Sequence, residues 1–225
     1  MSGRGRVLAV ITARGGSKGI PGKNLIPFRG RSLISWTIEA AQQAQLIDRL
    51  ILSSDDPAII AEAERLGCEA PFVRDAALSG DEARSIDVVL DALDRVSGFD
   101  VVVLLQPTSP LRTAADIDAV IGMLDGGDSC VSVSGSAAHP WLVYEPDAEG
   151  RMRPYVDPPA GASLRRQDLP TALTVNGAVY AARVDWLRRN QTFIRPGETL
   201  AWVMPAGRSA DIDTVEDLAA AEVAI

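Results

Sequence analysis

Two rhythms of apolar residues alternate along the chain. Short runs at Val7 to Thr12, Leu50 to Leu52, Val101 to Leu105, Ser129 to Val133, Ala178 to Ala182 and Leu200 to Met204 are dense in apolar or small side chains and read as buried strands. Between them, apolar positions recur at helical spacing over Leu33 to Ala44, Ala58 to Leu66, Ser85 to Val96, Asp116 to Leu124, Asp185 to Asn190 and Val215 to Val223. Local punctuation agrees: Ser32 and Thr214 stand at N-cap positions, Pro57 opens a helix at the turn that tolerates proline, and Gly67 closes it. Glu69 to Val73 reads as a weak strand, Arg74 to Arg84 as a polar loop, and Asn176-Gly177 as the lead-in to a strand. Repeated strand–loop–helix units predict an α/β protein with a twisted, mostly parallel sheet and helices on both faces.

From residue 135 to residue 173 the rhythm is lost. Prolines, short apolar pairs such as Leu142-Val143 and a basic pair, Arg165-Arg166, replace it. Such an excursion is either a flap or a small hairpin that packs on another subunit; Trp141, Tyr144 and Tyr155 favour the hairpin. Its histidine, His139, is read as structural. The expected organisation is one domain over 1–225 with this excursion, and a homodimer.

Composition narrows the function classes. The chain has 225 residues, 47% of them apolar, enough for one sizeable core. No apolar stretch is long enough for a transmembrane helix, and the run after the N-terminal arginines is too short for a signal peptide. Cys68 and Cys130 lie far apart and are expected as reduced, buried thiols, so the expected location is cytoplasmic. A net charge of −8 argues against nucleic-acid binding. Against that acidic background one segment stands out. Residues 13–24, ARGGSKGIPGKN, follow the first strand with Gly15, Gly16, Gly19 and Gly22, the cations Arg14, Lys18 and Lys23, and no acid. Glycines let backbone N–H groups approach a ligand, cations neutralise a polyphosphate, and ligands of open α/β sheets bind past the carboxyl ends of strands. The loop is neither GxGxxG nor a Walker A sequence, so by itself it reads as an anion cradle or a glycine-rich surface loop.

Three further segments carry polar groups past strand ends. Asp55 and Asp56 either hold a metal or cap the helix opened by Pro57. Gln106-Pro107-Thr108-Ser109-Pro110 is a rigid turn that either meets a ligand or caps the next helix. In Asp211-Ile212-Asp213-Thr214, alternation puts both carboxylates on one face, where they meet a cation or support the final helix cap.

Taken together, ARGGSKGIPGKN at 13–24, Arg74 followed by SIDVVLDAL at 85–93, LLQPTSPLR at 104–112, RRQDLP at 165–170, NGAVYA at 176–181 and DIDT at 211–214 resemble the CMP-sialic acid synthetases, or N-acylneuraminate cytidylyltransferases, over nearly the whole chain. The RGGSKG form resembles the nine-carbon branch rather than the Kdo synthetases. The resemblance implies a Rossmann-like three-layer α/β/α nucleotidyltransferase fold and transfer of CMP from CTP to an acidic nine-carbon 2-keto-3-deoxy sugar, with Mg²⁺ as cofactor. Legionaminic or pseudaminic acid is the alternative substrate, and an inactive nucleotide-sugar binding module the alternative class. It implies Ala13, Arg14, Gly15, Gly16, Ser17, Lys18, Lys23, Asn24, Arg74 and Ser85 on the nucleotide, and Gln106, Thr108, Ser109, Arg165 and Gln167 on the sugar. Arg14, Lys23 and Arg166 are implied at the reacting groups, and Asp211 and Asp213 on the metal. Ala83 departs from the family pattern, where many relatives carry a hydroxyl.

Overall fold

The computed structural model describes residues 5–17 and 19–223. The first half of the chain carries β1 (Val7–Thr12), the two-residue strands β2 (Pro27–Phe28) and β3 (Arg31–Ser32), α1 (Leu33–Gln43), β4 (Arg49–Ser53), α2 (Pro57–Arg65), α3 (Ser85–Arg95) and β5 (Val101–Leu105). The second half carries α4 (Ala114–Gly122), β6 (Ser129–Gly135), β7 (Tyr144–Pro146), β8 (Met152–Pro154), β9 (Leu173–Arg183), α5 (Val184–Asn190), β10 (Leu200–Val203) and α6 (Val215–Val223).

The main sheet runs β10-β6-β9-β5-β1-β4. β1 pairs in parallel with β4 and β5, and β10 with β6; β9 runs antiparallel to both β5 and β6. Side-chain alternation along β1 explains the layers. Val7, Ala9 and Ile11 face a cluster with Ile34 and Ile38 of α1, Ile59 of α2 and Ile117 of α4, while Leu8 and Val10 face Ile86 and Val89 of α3 and Trp186 of α5. The sheet is therefore covered on both faces, as the unbroken apolar runs require. Among the described residues no helix is long and apolar enough to cross a membrane.

Several expectations need correction. Glu69 to Val73 does not form a strand: it touches the sheet edge only through single bridges from Glu69 to Ile51 and from Val73 to Ser54. Asn176-Gly177 does not precede a strand but lies inside β9, which runs 11 residues. The pairing of β6 with β9 shifts register between Val131 and Val133, a bulge that Ser132 closes by donating to Asn176 Oδ1 at 2.6 Å. Ser32 holds the N-cap position of α1, but its hydroxyl donates to Glu62 across to α2 instead of capping. Thr214 does cap α6, in a reciprocal pair with Asp217.

Residues 136–172 form an arm at the end of the β6–β9 ribbon. It carries the antiparallel hairpin β7–β8 and two 3-10 turns. His139 is structural, accepting the Trp141 amide N–H on Nδ1 at the first of these turns. Cys68 and Cys130 are buried, and burial pushes their thiols up to about 12 and about 11.

Candidate active site

β1 delivers the glycine loop to the carboxyl edge of the sheet, and buried polar side chains pin its backbone there. The Ala13 amide donates to Ser53 O, and the Gly15 amide to Asp55 Oδ1 at 3.2 Å. Arg74, buried behind the loop, donates to the carbonyl of Ala13, to Asp55 and to the Ser79 hydroxyl. Burial pushes the Arg74 pKa down, and Asp55 opposes the shift. Asn24, also buried, holds the carbonyl of Arg14 at 2.9 Å. A Cβ on Gly15 would come within 2.5 Å of the Asp56 carboxylate, so a side chain there would force the loop or the Asp56 side chain to shift. Asp56 caps α2 through the amides of Ala58 and Ile59, as its sequence context allows. Asp55 has a different job, bracing the cradle. That role is invisible in sequence, because its partners lie 40 and 19 residues away.

The opposite wall is built on β5, β9 and the chain before α6. Past β5 the turn at 106–112 is anchored by Arg112, whose buried guanidinium donates to the carbonyl of Ala178 on β9, to the Thr37 hydroxyl on α1 and to the carbonyl of Gln106. Burial lowers the Arg112 pKa to about 9, against the pull of Asp211 and Asp116, so the group stays charged at neutral pH. Gly177, at φ +75°, passes so close beneath that a Cβ would sit 3.0 Å from Gln106 Oε1 and 3.5 Å from Asp211 Oδ2. Ile212 is fully buried and its amide donates to Thr108 O, which turns Asp211 and Asp213 toward the cleft on either side of it. Burial raises the Asp211 pKa above the ordinary carboxylate range. The Thr108 hydroxyl opposes this, Asp213 and Asp217 add to it, and Lys23 counters.

One small apolar cluster joins the two walls. Ile20 of the glycine loop and Ile212 pack together with Phe28, Leu33 and Ala221 of α6. Above that cluster Lys23 Nζ meets Asp213 Oδ1 at 2.7 Å, a contact between residues 190 apart in sequence, and a Cβ on Gly19 would strike the carbonyl of Asp213. Between the walls lies a cleft of about 580 Å³. Of the residues expected to bind, Ala13, Arg14, Ser17, Lys23, Asn24, Arg74, Ser85, Gln106, Thr108, Asp211 and Asp213 line it.

The others do not. Gly15 turns its N–H to Asp55, and Gly16 stands outside the lining. Ser109 is fully buried and donates to the carbonyl of Asn176, because the turn at 106–109 points its hydroxyl inward against β9. Arg165, Arg166 and Gln167 are exposed on the arm and line no part of the cleft of their own chain, since the arm closes on its own contacts, such as Arg165 with Asp168 at 2.8 Å. Lys18 lies outside the described residues. Sequence reasoning missed the bracing role of Asp55, that of Arg112 and the close approach at Gly177. Only the SPLR and NG motifs hinted at the last two.

A mixed α/β sheet with a cation-bearing glycine loop past its first strand, facing a carboxylate pair, defines a nucleotide-handling α/β enzyme. The chain belongs to the cytidylyltransferase family, whose model matches residues 8–139, and it is a nucleotidyltransferase. It is 34% identical to a pseudaminic acid cytidylyltransferase of Campylobacter jejuni, over 96% of this chain and 94% of that protein. It is 33% identical to a CMP-N,N'-diacetyllegionaminic acid synthase of Legionella pneumophila, over 96% and 95%. An N-acylneuraminate cytidylyltransferase of Streptococcus agalactiae is 32% identical over 93% of this chain but 51% of its own length. The resemblance to the CMP-sialic acid synthetases therefore holds at the level of the family. In fold, the chain is similar to CMP:2-keto-3-deoxy-manno-octonic acid synthetase complexed with CTP, with a TM-score of 0.70, 20% identity and coverage of 96% and 97%.

Proposed function

We propose that the cleft binds CTP and an acidic nine-carbon 2-keto-3-deoxy sugar of the sialic type, and joins them into the CMP-sugar with release of pyrophosphate. The observation that carries this reading is the Lys23–Asp213 contact: it brings an anion cradle and an acid pair, from opposite ends of the chain, to one cleft. In the proposed reaction a sugar hydroxyl attacks the α-phosphorus, its proton leaves to solvent or a neighbouring base, and pyrophosphate departs. Charge then builds on phosphate oxygens, so positioning and charge stabilisation suffice, with no covalent enzyme intermediate. Arg14, Lys23 and the loop amides stabilise that charge, Ser85 and Asn24 border the nucleotide, and Gln106 and Thr108 border the sugar.

Asp211 and Asp213 fit a divalent cation, Mg²⁺ in this reading. Both carboxylates border the cleft, and a magnesium ion takes one or two carboxylates and fills its remaining positions with water and phosphate. Among the described residues no group of three or more acids, cysteines or histidines forms a ready-made metal site, and the nearby Asp217 is engaged in capping α6. When bound, the ion would draw electron density from the phosphate oxygens.

A second reading, a pseudaminic or legionaminic acid substrate, draws support from the relatives so named, which match over 94% and 95% of their own length. The apolar arm residues Tyr144, Met152, Tyr155 and Leu164 support a homodimer. The deciding experiment is pyrophosphate release from CTP and Mg²⁺ with a panel of such acids. Release with Neu5Ac supports the sialic reading, and release only with a di-amino relative the second. Tight CTP binding without release under any acid rejects the enzyme reading.

A further inference from the structure

The described cations of the cleft are each paired with an acid of this chain: Arg74 with Asp55 at 3.2 Å, Lys23 with Asp213 at 2.7 Å, and Arg14 with Asp81 at 2.9 Å. The pairs differ in what surrounds them. Arg74 and Asp55 brace the loop from behind, and Lys23 and Asp213 tie the two walls together. Asp81 belongs to neither wall. It sits in the segment between Ser79 and Arg84 that leads into α3, and its side chain enters the cleft from the rim. Both members of its pair stay open to solvent, with 32% of the Arg14 side chain and 45% of the Asp81 side chain exposed. Gly80, next to it, has open space where a Cβ would stand, and the turn is closed by the Ala83 amide donating to Gly80 O at 3.2 Å.

We propose that Asp81 is an internal competitor for the polyphosphate. Its carboxylate holds Arg14 until a triphosphate takes the guanidinium, and retakes it as pyrophosphate departs. The proposal rests on reading the cleft as a CTP site. A carboxylate oxygen and a phosphate oxygen ask the same of a guanidinium, an acceptor in line with its N–H donors, so the two exclude each other on one donor. Once displaced, the Asp81 carboxylate still faces a polyanion across the cleft rim, and like charges repel. Asp81 thus lowers affinity for anions and speeds their release, which makes it a residue that sets both nucleotide affinity and product escape. Because the pair is half-exposed, the effect is modest: removing the competitor should tighten anion binding about 2- to 5-fold.

The test is calorimetric titration of the full chain with inorganic pyrophosphate, and with CTP plus Mg²⁺, at one ionic strength. Four proteins are compared: the unaltered chain, Asp81→Asn, Asp81→Glu and Glu82→Gln. Asp81→Asn is expected to bind pyrophosphate more tightly by that factor and to be inhibited more strongly by it in turnover. Asp81→Glu, which keeps the charge, is expected to bind pyrophosphate less tightly than Asp81→Asn, and Glu82→Gln, which removes a neighbouring charge from outside the cleft lining, is expected to stay near the unaltered chain. Unchanged or weaker binding in Asp81→Asn overturns the proposal. So does equal tightening in Glu82→Gln, since overall charge would then explain it. Both results leave the CTP reading standing. Failure of the unaltered chain to bind either CTP or pyrophosphate overturns that reading, and this proposal with it.

Discussion

In the cleft, polar side chains are held by partners far away in sequence, Lys23 by Asp213 and Arg112 by Ala178 and Thr37. On the arm, Arg151 pairs with Asp147 and Glu149, and Arg165 with Asp168, all local neighbours. Apolar groups divide the same way. Ile212 beneath the acid pair is fully buried by its own chain, whereas Met152 and Tyr155 on the arm are each 70% exposed. The contrast teaches that long-range contacts within the chain position each wall of the cleft. The arm's ion pairs are local, and its large apolar side chains stand exposed among the described residues.

The sharpest way to break the contrast is at the cations. Arg14→Ala or Lys23→Ala is expected to lower turnover about 10²–10³-fold while thermal unfolding shows the fold intact, the loss typical of one preorganised donor to a developing anion. Near-normal pyrophosphate release in both variants would mean that the cleft is not the reacting site. Next comes the scaffold behind the acid wall. Asp116 completes a capping box with Thr113 at the start of α4 and takes a two-point ion pair from Arg208, just before Asp211. Asp116→Asn should cost about 2 kcal/mol in denaturant unfolding.

The same carboxylate gives a pH signature. Burial alone would raise its pKa, but Arg208 and the Thr113 amide and hydroxyl outweigh burial and hold it below the ordinary aspartate value. The unfolded chain therefore binds this proton more readily than the folded one. The stabilisation is complete above the unfolded-state pKa of about 4 and is lost as pH falls through the lower folded value. Acid unfolding curves of the unaltered chain and Asp116→Asn should accordingly converge at low pH, and a constant gap would refute the assignment.

A smaller effect is expected at Gly177. Gly177→Ala places a side chain at positive φ against Gln106 and Asp211, which should cost about 1–2 kcal/mol and lower turnover as the two side chains shift. Unaltered stability and turnover would show that the close approach is not needed. The smallest effect belongs to the arm. Met152→Ser and Tyr155→Ser should change the unfolding free energy of the isolated chain by less than about 0.5 kcal/mol. In the homodimer reading they weaken self-association, which sedimentation measures; a large loss of monomer stability would show that the arm packs on its own chain after all.

Much of this could be read before any coordinates. β1 matches its apolar run residue for residue, and α1, α3 and α6 begin where spacing and caps place them. Asp211-Ile212-Asp213 shows its two carboxylates to the cleft, as simple alternation implies. Where residues are brought together by the fold, neighbouring sequence says least. Ser109 turns inward, and Arg165, Arg166 and Gln167 stay on the arm.

The sequence by itself determined the alternation of strands and helices, the cation-bearing glycine loop and the acid pair, because periodicity, capping and loop composition are properties of neighbouring residues. Tertiary structure alone decided that β9 runs against its neighbours, that Gly177 passes beneath Gln106, that Asp55 and Arg112 brace opposite walls, and that Lys23 reaches Asp213. Those contacts depend on which elements lie side by side, and that is settled by burying both faces of one sheet at once, a condition no local stretch of residues contains.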